Sequence, residues 1–270
     1  MARRRRRTSK ARIALNVFVG LVFAFLMLPL VVVFPISVSS AKYLQFPPPG
    51  FSWQYFQAYF ESHQWLSATW RSFYVGFATA GMAMLLGVPL SFALVRSRLG
   101  FLRAVDKLVA APIIAPTIVL SIAIFGLFSQ LKLVGNWQGV AIAHTMLALP
   151  FVVIVVSAGL KTFDQSQEQA AIGLGASRLT AVWRITLPQI RPSLVSAAFL
   201  AFVSSFDELV VAMFLAGASM TLPKQMFDNI LFEIDPTIAA VSVLQILLIS
   251  VIMGIWSIFG RGAKETVLVR

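Results

Sequence analysis

Apolar residues along this chain gather into six long runs separated by short polar connections. The runs extend from Ile13 to Ile36, Thr69 to Val95, Leu108 to Phe128, Gln138 to Leu160, Ser193 to Leu215 and Thr237 to Phe259. A helix rises about 1.5 Å per residue, so roughly 20 residues cross a hydrocarbon core about 30 Å thick, and every run meets that length. Backbone groups in lipid must be satisfied within the segment, so each run predicts a transmembrane helix and the whole an all-α membrane protein with six spans.

The connections test that count, because Lys and Arg concentrate in cytoplasmic loops. With the N-terminus inside, the tail holds 7 of the 22 basic residues, Arg96, Arg98, Arg103 and Lys107 follow the second span, and Lys161, Arg178, Arg184 and Arg191 follow the fourth. Arg261, Lys264 and Arg270 close the chain on the same side, against Lys42, Arg71, Lys132 and Lys224 outside. Six spans therefore place both termini in the cytoplasm. A cleaved signal peptide is the alternative for the first run, but 24 residues from Ile13 to Ile36 exceed the roughly 7–15 of a signal's apolar region.

Composition agrees: 59% of residues are apolar and 12% charged, against about 25% charged in soluble domains, and mean hydropathy is +0.85. The net charge of +12 is weighted toward Arg3, Arg4, Arg5, Arg6, Arg7, Lys10 and Arg12. Beside a long apolar run such an arm holds the terminus in the cytoplasm; nucleic-acid binding is the lesser reading. There is no cysteine, and the two histidines, His63 and His144, lie far apart, so neither a thiolate site nor a zinc site is expected. Domain organisation follows as a basic tail at 1–12, a first span at 13–36, a periplasmic loop at 37–68, a core at 69–260 and a tail at 261–270. In the periplasmic loop, Pro47, Pro48, Pro49 and Gly50 exclude helix, and Phe51, Trp53, Tyr55, Phe56, Tyr59 and Phe60 predict a short interfacial helix, with partner docking as the sharper alternative.

The cytoplasmic connection at 161–192 is the longest and most patterned. It reads Asp164-Gln-Ser-Gln-Glu168-Gln169-Ala170-Ala171-Ile-Gly-Leu174-Gly175-Ala176-Ser177, then Trp183-Arg184-Ile185-Thr186-Leu187-Pro188. The pattern predicts a short helix rich in Ala and Gln, a break at Gly173 and Gly175, a second helix from Ser177 and a stop at Pro188. It resembles the EAA loop of inner-membrane permeases of binding-protein-dependent ABC importers, whose spacing Ala170, Ala171, Gly175, Ile185, Leu187 and Pro188 reproduce. The family's acidic position is Gln169 here, and Glu168, one residue earlier, is displaced by about 100° around a helix.

The resemblance extends over nearly the whole chain, through Ala111-Pro112 to Pro116, Ala143-His144-Thr145 and Leu149-Pro150-Phe151. Ser205-Phe206-Asp207-Glu208-Leu209-Val210-Val211, Thr221-Leu222-Pro223 and Ile234-Asp235-Pro236-Thr237 are most similar to permeases of spermidine and putrescine importers. Arg71-Ser72 departs from the family's usual Asn-Ser. The resemblance implies a type I (MetI-like) permease fold in a bacterial inner membrane, and a coupling loop at Glu168, Gln169, Ala170, Ala171 and Gly175. It implies a second permease subunit, two ATPase subunits that bind ATP and Mg, and a periplasmic binding protein that delivers a small cationic amine.

Asp207 and Glu208 are the acidic pair within an apolar span. A charge at mid-bilayer costs about 2.5–3.5 kcal/mol, so it faces a pore or a partner. Read as one continuous helix, the two carboxylates point about 100° apart, one toward the translocation path and one toward a helix interface; a structural role for both is the alternative. His144 reads as a satisfied structural histidine. The chain carries no phosphate-binding Gly-rich loop ending in Lys-Ser/Thr, no His-Glu-x-x-His and no Gly-x-Ser-x-Gly, so no enzymatic activity of its own is expected. The rival function is an ion-coupled secondary transporter or channel without an ATPase, which calls for more intramembrane charge and related halves.

Overall fold

The computed structural model describes residues 10–97, 99–232 and 235–261. The arginine-rich stretch before residue 10, Arg98, Glu233, Ile234 of the Ile234-Asp235-Pro236-Thr237 motif and the segment after 261 lie outside the described residues. Helices follow in the order α1 (Lys10–Ser37), α2 (Gln54–Glu61), α3 (His63–Arg96), α4 (Leu102–Ile114), α5 (Thr117–Gln130) and α6 (Trp137–Thr162). Next come α7 (Gln165–Gly173), α8 (Arg178–Ala181), a wider π turn at Val182–Thr186, α9 (Leu187–Gln189), α10 (Arg191–Phe206), α11 (Val210–Leu215), α12 (Leu222–Phe232) and α13 (Thr237–Arg261). Among the described residues the sole β feature is an isolated antiparallel bridge between Ser39 and Phe51.

Two compact units divide the chain, His63–Asp228 and the segments on either side of it. In the central unit α3, α6 and α10 pack against one another. Their contact is made by small residues: Ser72, Gly76, Ala80, Ala83, Gly87 and Ser91 recur every three or four positions on α3 and all are buried. Where apolar solvent surrounds the bundle, helices associate through close van der Waals packing of this kind. A Cβ on Gly87 would meet Val152 Cγ1 at 2.6 Å, and one on Gly159 would meet Ser193 Oγ at 2.4 Å. The opposite side of α3 leaves Leu85 exposed, as a lipid-facing surface does.

α5, α6 and α11 build a second part of this core, with Ile124, Phe128, Val140, Val211 and Leu215 buried together. The turn between α5 and α6 is tied to the end of α11, where Gly135 donates its N–H to the Leu215 carbonyl at 2.8 Å. Gly135 takes a left-handed φ of 84°, which glycine adopts without steric cost. Gly139 is tighter: a Cβ there would lie 2.1 Å from the Leu133 carbonyl oxygen. Gly139→Ala is therefore expected to destabilise the fold by about 1–3 kcal/mol, lowering the melting temperature in mild detergent. Gly81→Ala, whose Cβ meets nothing within 4 Å, is the control and should melt no lower than the parent.

Two expected spans prove not to be straight. The run from Leu108 to Phe128 is divided between α4 and α5, which are bent by 108°. Ala115, preceding Pro116, is extended with ψ 139°, as clash with a following proline ring requires. The run from Ser193 to Leu215 is interrupted as well: α10 ends at Phe206, and Asp207 to Leu209 separate it from α11. Among the described residues four helices are long and apolar enough to cross a membrane, and the count reaches six if two bent pairs each form one span: α4 with α5, and the stretch Arg178–Gln189 with α10, bent by 73°. The second span also starts earlier than its apolar run, at His63.

In the other unit α1 meets α13 and α13 meets α2. The 18 most apolar residues of α1 have a mean hydropathy of 3.0 and none is buried, which suits a membrane helix that touches the rest of the chain along one narrow strip. Hydrogen bonds from Ser40 N–H to the Gly50 carbonyl and from Ser52 N–H to the Val38 carbonyl close the proline turn. The Tyr55 hydroxyl donates to the Ala41 carbonyl. The expected aromatic helix is α2.

Candidate functional site

Two polar assemblies occur in the central unit, one within the apolar core and one on the 164–190 connection. The first begins at His144 on α6, which is buried. His144 Nδ1 lies 2.8 Å from Ser205 Oγ, Ser205 donates to Thr79 Oγ1 at 3.1 Å, and Thr79 donates to the Ala141 carbonyl at 3.2 Å. Each hydroxyl has one proton, and both are committed in that direction, so Nδ1 must be the donor to Ser205. The other ring nitrogen, Nε2, faces Glu208 Oε2 at 3.3 Å, an ion-pair separation without hydrogen-bond alignment. Each of the two polar groups thus lies beside the other, away from apolar neighbours that could not offset its burial.

Glu208 has a second task. Its carboxylate accepts the Val211 N–H at 2.9 Å and the Ala212 N–H at 3.2 Å, the unsatisfied donors of the first turn of α11. This is why the expected continuous helix fails at this point: a carboxylate that can bond nearby backbone N–H groups favours a helix start over a helix interior. Asp207 occupies the break itself, with φ −98° and ψ 1°. Its side chain is exposed and makes no hydrogen bond or ion pair among the described residues. The two neighbouring carboxylates thus have opposite environments, Glu208 turned into the core and Asp207 out of it.

The second assembly is organised by Glu168 on α7. Both of its oxygens meet the Arg96 guanidinium, at 2.8 and 2.7 Å, and Oε2 also accepts the Thr186 hydroxyl at 2.6 Å. Arg96 closes α3 and lies over the Phe92 ring, 4.7 Å from its centroid. Burial raises the Glu168 carboxyl, but the Arg96 hydrogen bonds, the Thr186 hydroxyl and the Arg96 charge outweigh it and hold the group below the usual carboxylate range. Glu168 is therefore consumed within the chain, whereas the rest of the connection faces outward.

Asp164 starts α7 by accepting the Ser166 N–H at 3.0 Å, and Ser177 starts α8 by accepting the Thr180 N–H at 3.1 Å. Between them Gly175 has φ 94°, which reverses the chain after α7. The second helix ends one residue past Pro188, close to the expected stop. The π turn at Val182–Thr186 widens the backbone just ahead of Pro188, relieving the clash between a proline ring and the preceding turn, and the helix runs on through Gln189. Gln169, Ala170 and Gly175 are exposed and Ala171 is half-buried. Beside them Leu174 is 90% exposed, Leu179 73% and Trp183 70%. Three large apolar side chains on one short polar connection thus lie exposed.

The family of binding-protein-dependent transport system inner membrane components matches residues 87–264. The chain belongs to this family. As an ABC importer permease it is similar to the spermidine/putrescine transport system permease protein PotC of Haemophilus influenzae, 29% identical over 86% of this chain and 91% of the relative. It is also similar to the molybdenum transport system permease protein ModB of Mycobacterium bovis, 30% identical over 66% of this chain and 74% of the relative. In fold, the permease resembles a chain of the bacterial ABC transporter that imports the acidic polysaccharide alginate. The TM-score is 0.73 at 18% identity, covering 92% of this chain and 96% of that one. The MetI-like fold and the multi-pass placement in the inner membrane follow.

Sequence reasoning missed Arg96, counted only as a cytoplasmic charge, and the buried partners Thr79 and Ser205. No local pattern links positions 96 and 168. The patch at Leu174, Leu179 and Trp183 had a signal, since apolar residues stood in a connection assigned to water.

Proposed function

We propose that the permease carries a small cationic amine of the polyamine class, delivered by a periplasmic binding protein, along a path shared with a second permease subunit. Two ATPase subunits, binding ATP and Mg, sit on the 164–190 connection and move it, with both permease termini in the cytoplasm. The observation that carries the substrate class is Asp207: an exposed carboxylate at a break in a membrane helix, with no cation beside it among the described residues. An ammonium group 4 Å away gains about 1 kcal/mol in water and about 4 kcal/mol at an effective dielectric constant of 20. Similarity to PotC supports the same class, while similarity to ModB makes an oxyanion the reading to exclude. The exposed apolar residues beside Ala170 support the ATPase seat.

Asp207→Asn is expected to reduce putrescine uptake by the assembled importer about tenfold while leaving its melting temperature unchanged, since the carboxylate has no partner to lose. Unaltered putrescine uptake in this variant, or uptake of molybdate in place of putrescine by the parent, overturns the cationic assignment. Cysteines placed at Ala170 or Leu174 should crosslink to an ATPase subunit in intact cells, and failure at both positions overturns the seat.

A further inference from the structure

Away from both polar assemblies, an open cleft of about 750 Å³ lies among the ends of α3 and α6 and the start of α4. Small-molecule sites span about 300–1,000 Å³. Leu102 and Val153 are buried along its floor. Arg103, Lys161 and Asp106, all exposed, also line it. None of the three forms an ion pair among the described residues, and among those residues two cations face one carboxylate, one positive charge in excess. The Ser157 hydroxyl lines the same cleft and is buried without a hydrogen-bond partner among the described residues, an unfavourable state for a polar group unless a ligand meets it.

These features define the ligand's chemistry. An apolar floor beneath paired cations suits an amphiphile with an anionic head. Arginine takes a phosphate bidentately and lysine takes it as a point charge. Asp106 opposes a second negative charge, which selects a singly charged phosphodiester. The surroundings identify the source: the cleft's own lining exposes Leu99 by 59% and Ile154 by 56%, so it opens where lipid is at hand. Arg96 and Lys161 close α3 and α6 at this level, the basic boundary where anionic head groups are held.

We propose that this cleft binds one anionic phospholipid of the phosphatidylglycerol type, with its phosphodiester between Arg103 and Lys161 and its acyl chains along Leu102 and Val153. The test is native mass spectrometry on the full-length permease, delipidated in mild detergent and titrated with phosphatidylglycerol. The variant Arg103→Gln/Lys161→Gln should bind roughly 30-fold more weakly, about fivefold for each cation removed. Lys107→Gln, on the same helix but outside the cleft, should bind as the parent does. Ala158→Leu keeps both cations and fills the cleft, so it should also lose the lipid, and it remains a test where the double variant fails to fold. Equal affinity for phosphatidylethanolamine, or undiminished binding by both cleft variants, overturns the proposal. Displacement of the lipid by equimolar glycerol phosphate overturns the lipid source and assigns the site to a soluble phosphate.

Discussion

Glu208→Ala is expected to be the most damaging single substitution in the core, costing about 2–5 kcal/mol and abolishing a cooperative melting transition at growth temperature. The magnitude has two sources. Removal of the carboxylate leaves His144 Nε2 buried without the polar group it faces, and an orphaned buried polar group costs about 1–3 kcal/mol. The Val211 and Ala212 N–H groups at the start of α11 also lose their acceptor, a capping loss of about 0.5–2 kcal/mol. Because both partners belong to one interaction, His144→Ala combined with Glu208→Ala should cost less than the two single effects together. Glu208→Gln retains an acceptor for the backbone donors and should fall between the parent and Glu208→Ala. Thermal unfolding of the five proteins in the same detergent reads all of this. A Glu208→Ala variant that melts within a degree of the parent would show that His144 and Glu208 do not hold α11 in place.

The same residues show what the chain discloses before it folds. An apolar run of the right length is a local signal, and α6 and α13 lie close to where it predicts, with α13 beginning at the expected Thr237. Breaks are harder to see. Pro116 announces a bend by its chemistry, but its 108° depends on what α4 and α5 each pack against. At Asp207 and Glu208 the hydropathy of the surrounding residues hides a helix start, because the carboxylate acts as a cap only when the backbone turns to meet it. That two adjacent acids point apart is legible from helix geometry; which one turns inward is not, since it is decided by His144, 64 positions away on another helix. The tether from Arg96 to Glu168 spans a separation of 72 residues, and a one-residue displacement from the family's acidic position conceals it.

That tether carries the second large effect. Arg96→Ala or Glu168→Ala should reduce substrate uptake by the assembled importer at least tenfold while the bundle still melts cooperatively, because the lost contacts fasten the 164–190 connection and not the core. Hydrogen bonds to charged partners contribute about 1.5–3 kcal/mol each, enough to shift a short connection from mostly ordered to mostly disordered. Amide exchange over residues 164–190 should accelerate correspondingly in both variants, with α6 unaffected. Arg96→Lys should behave almost as badly as Arg96→Ala, since an ammonium group cannot meet both Glu168 oxygens at once. The exchanged pair Arg96→Glu/Glu168→Arg should recover part of the uptake, which a purely steric role for either residue does not predict. Acid supplies an independent check. The Glu168 carboxyl is held below its ordinary range, so its contribution is complete above the unfolded value of about 4.3 and is lost only as pH falls through the lowered folded value. Exchange in the connection should therefore keep the same protection, after correction for intrinsic rates, from pH 8 to pH 5, and a loss of protection between pH 7 and pH 6 would show that a different group fastens it.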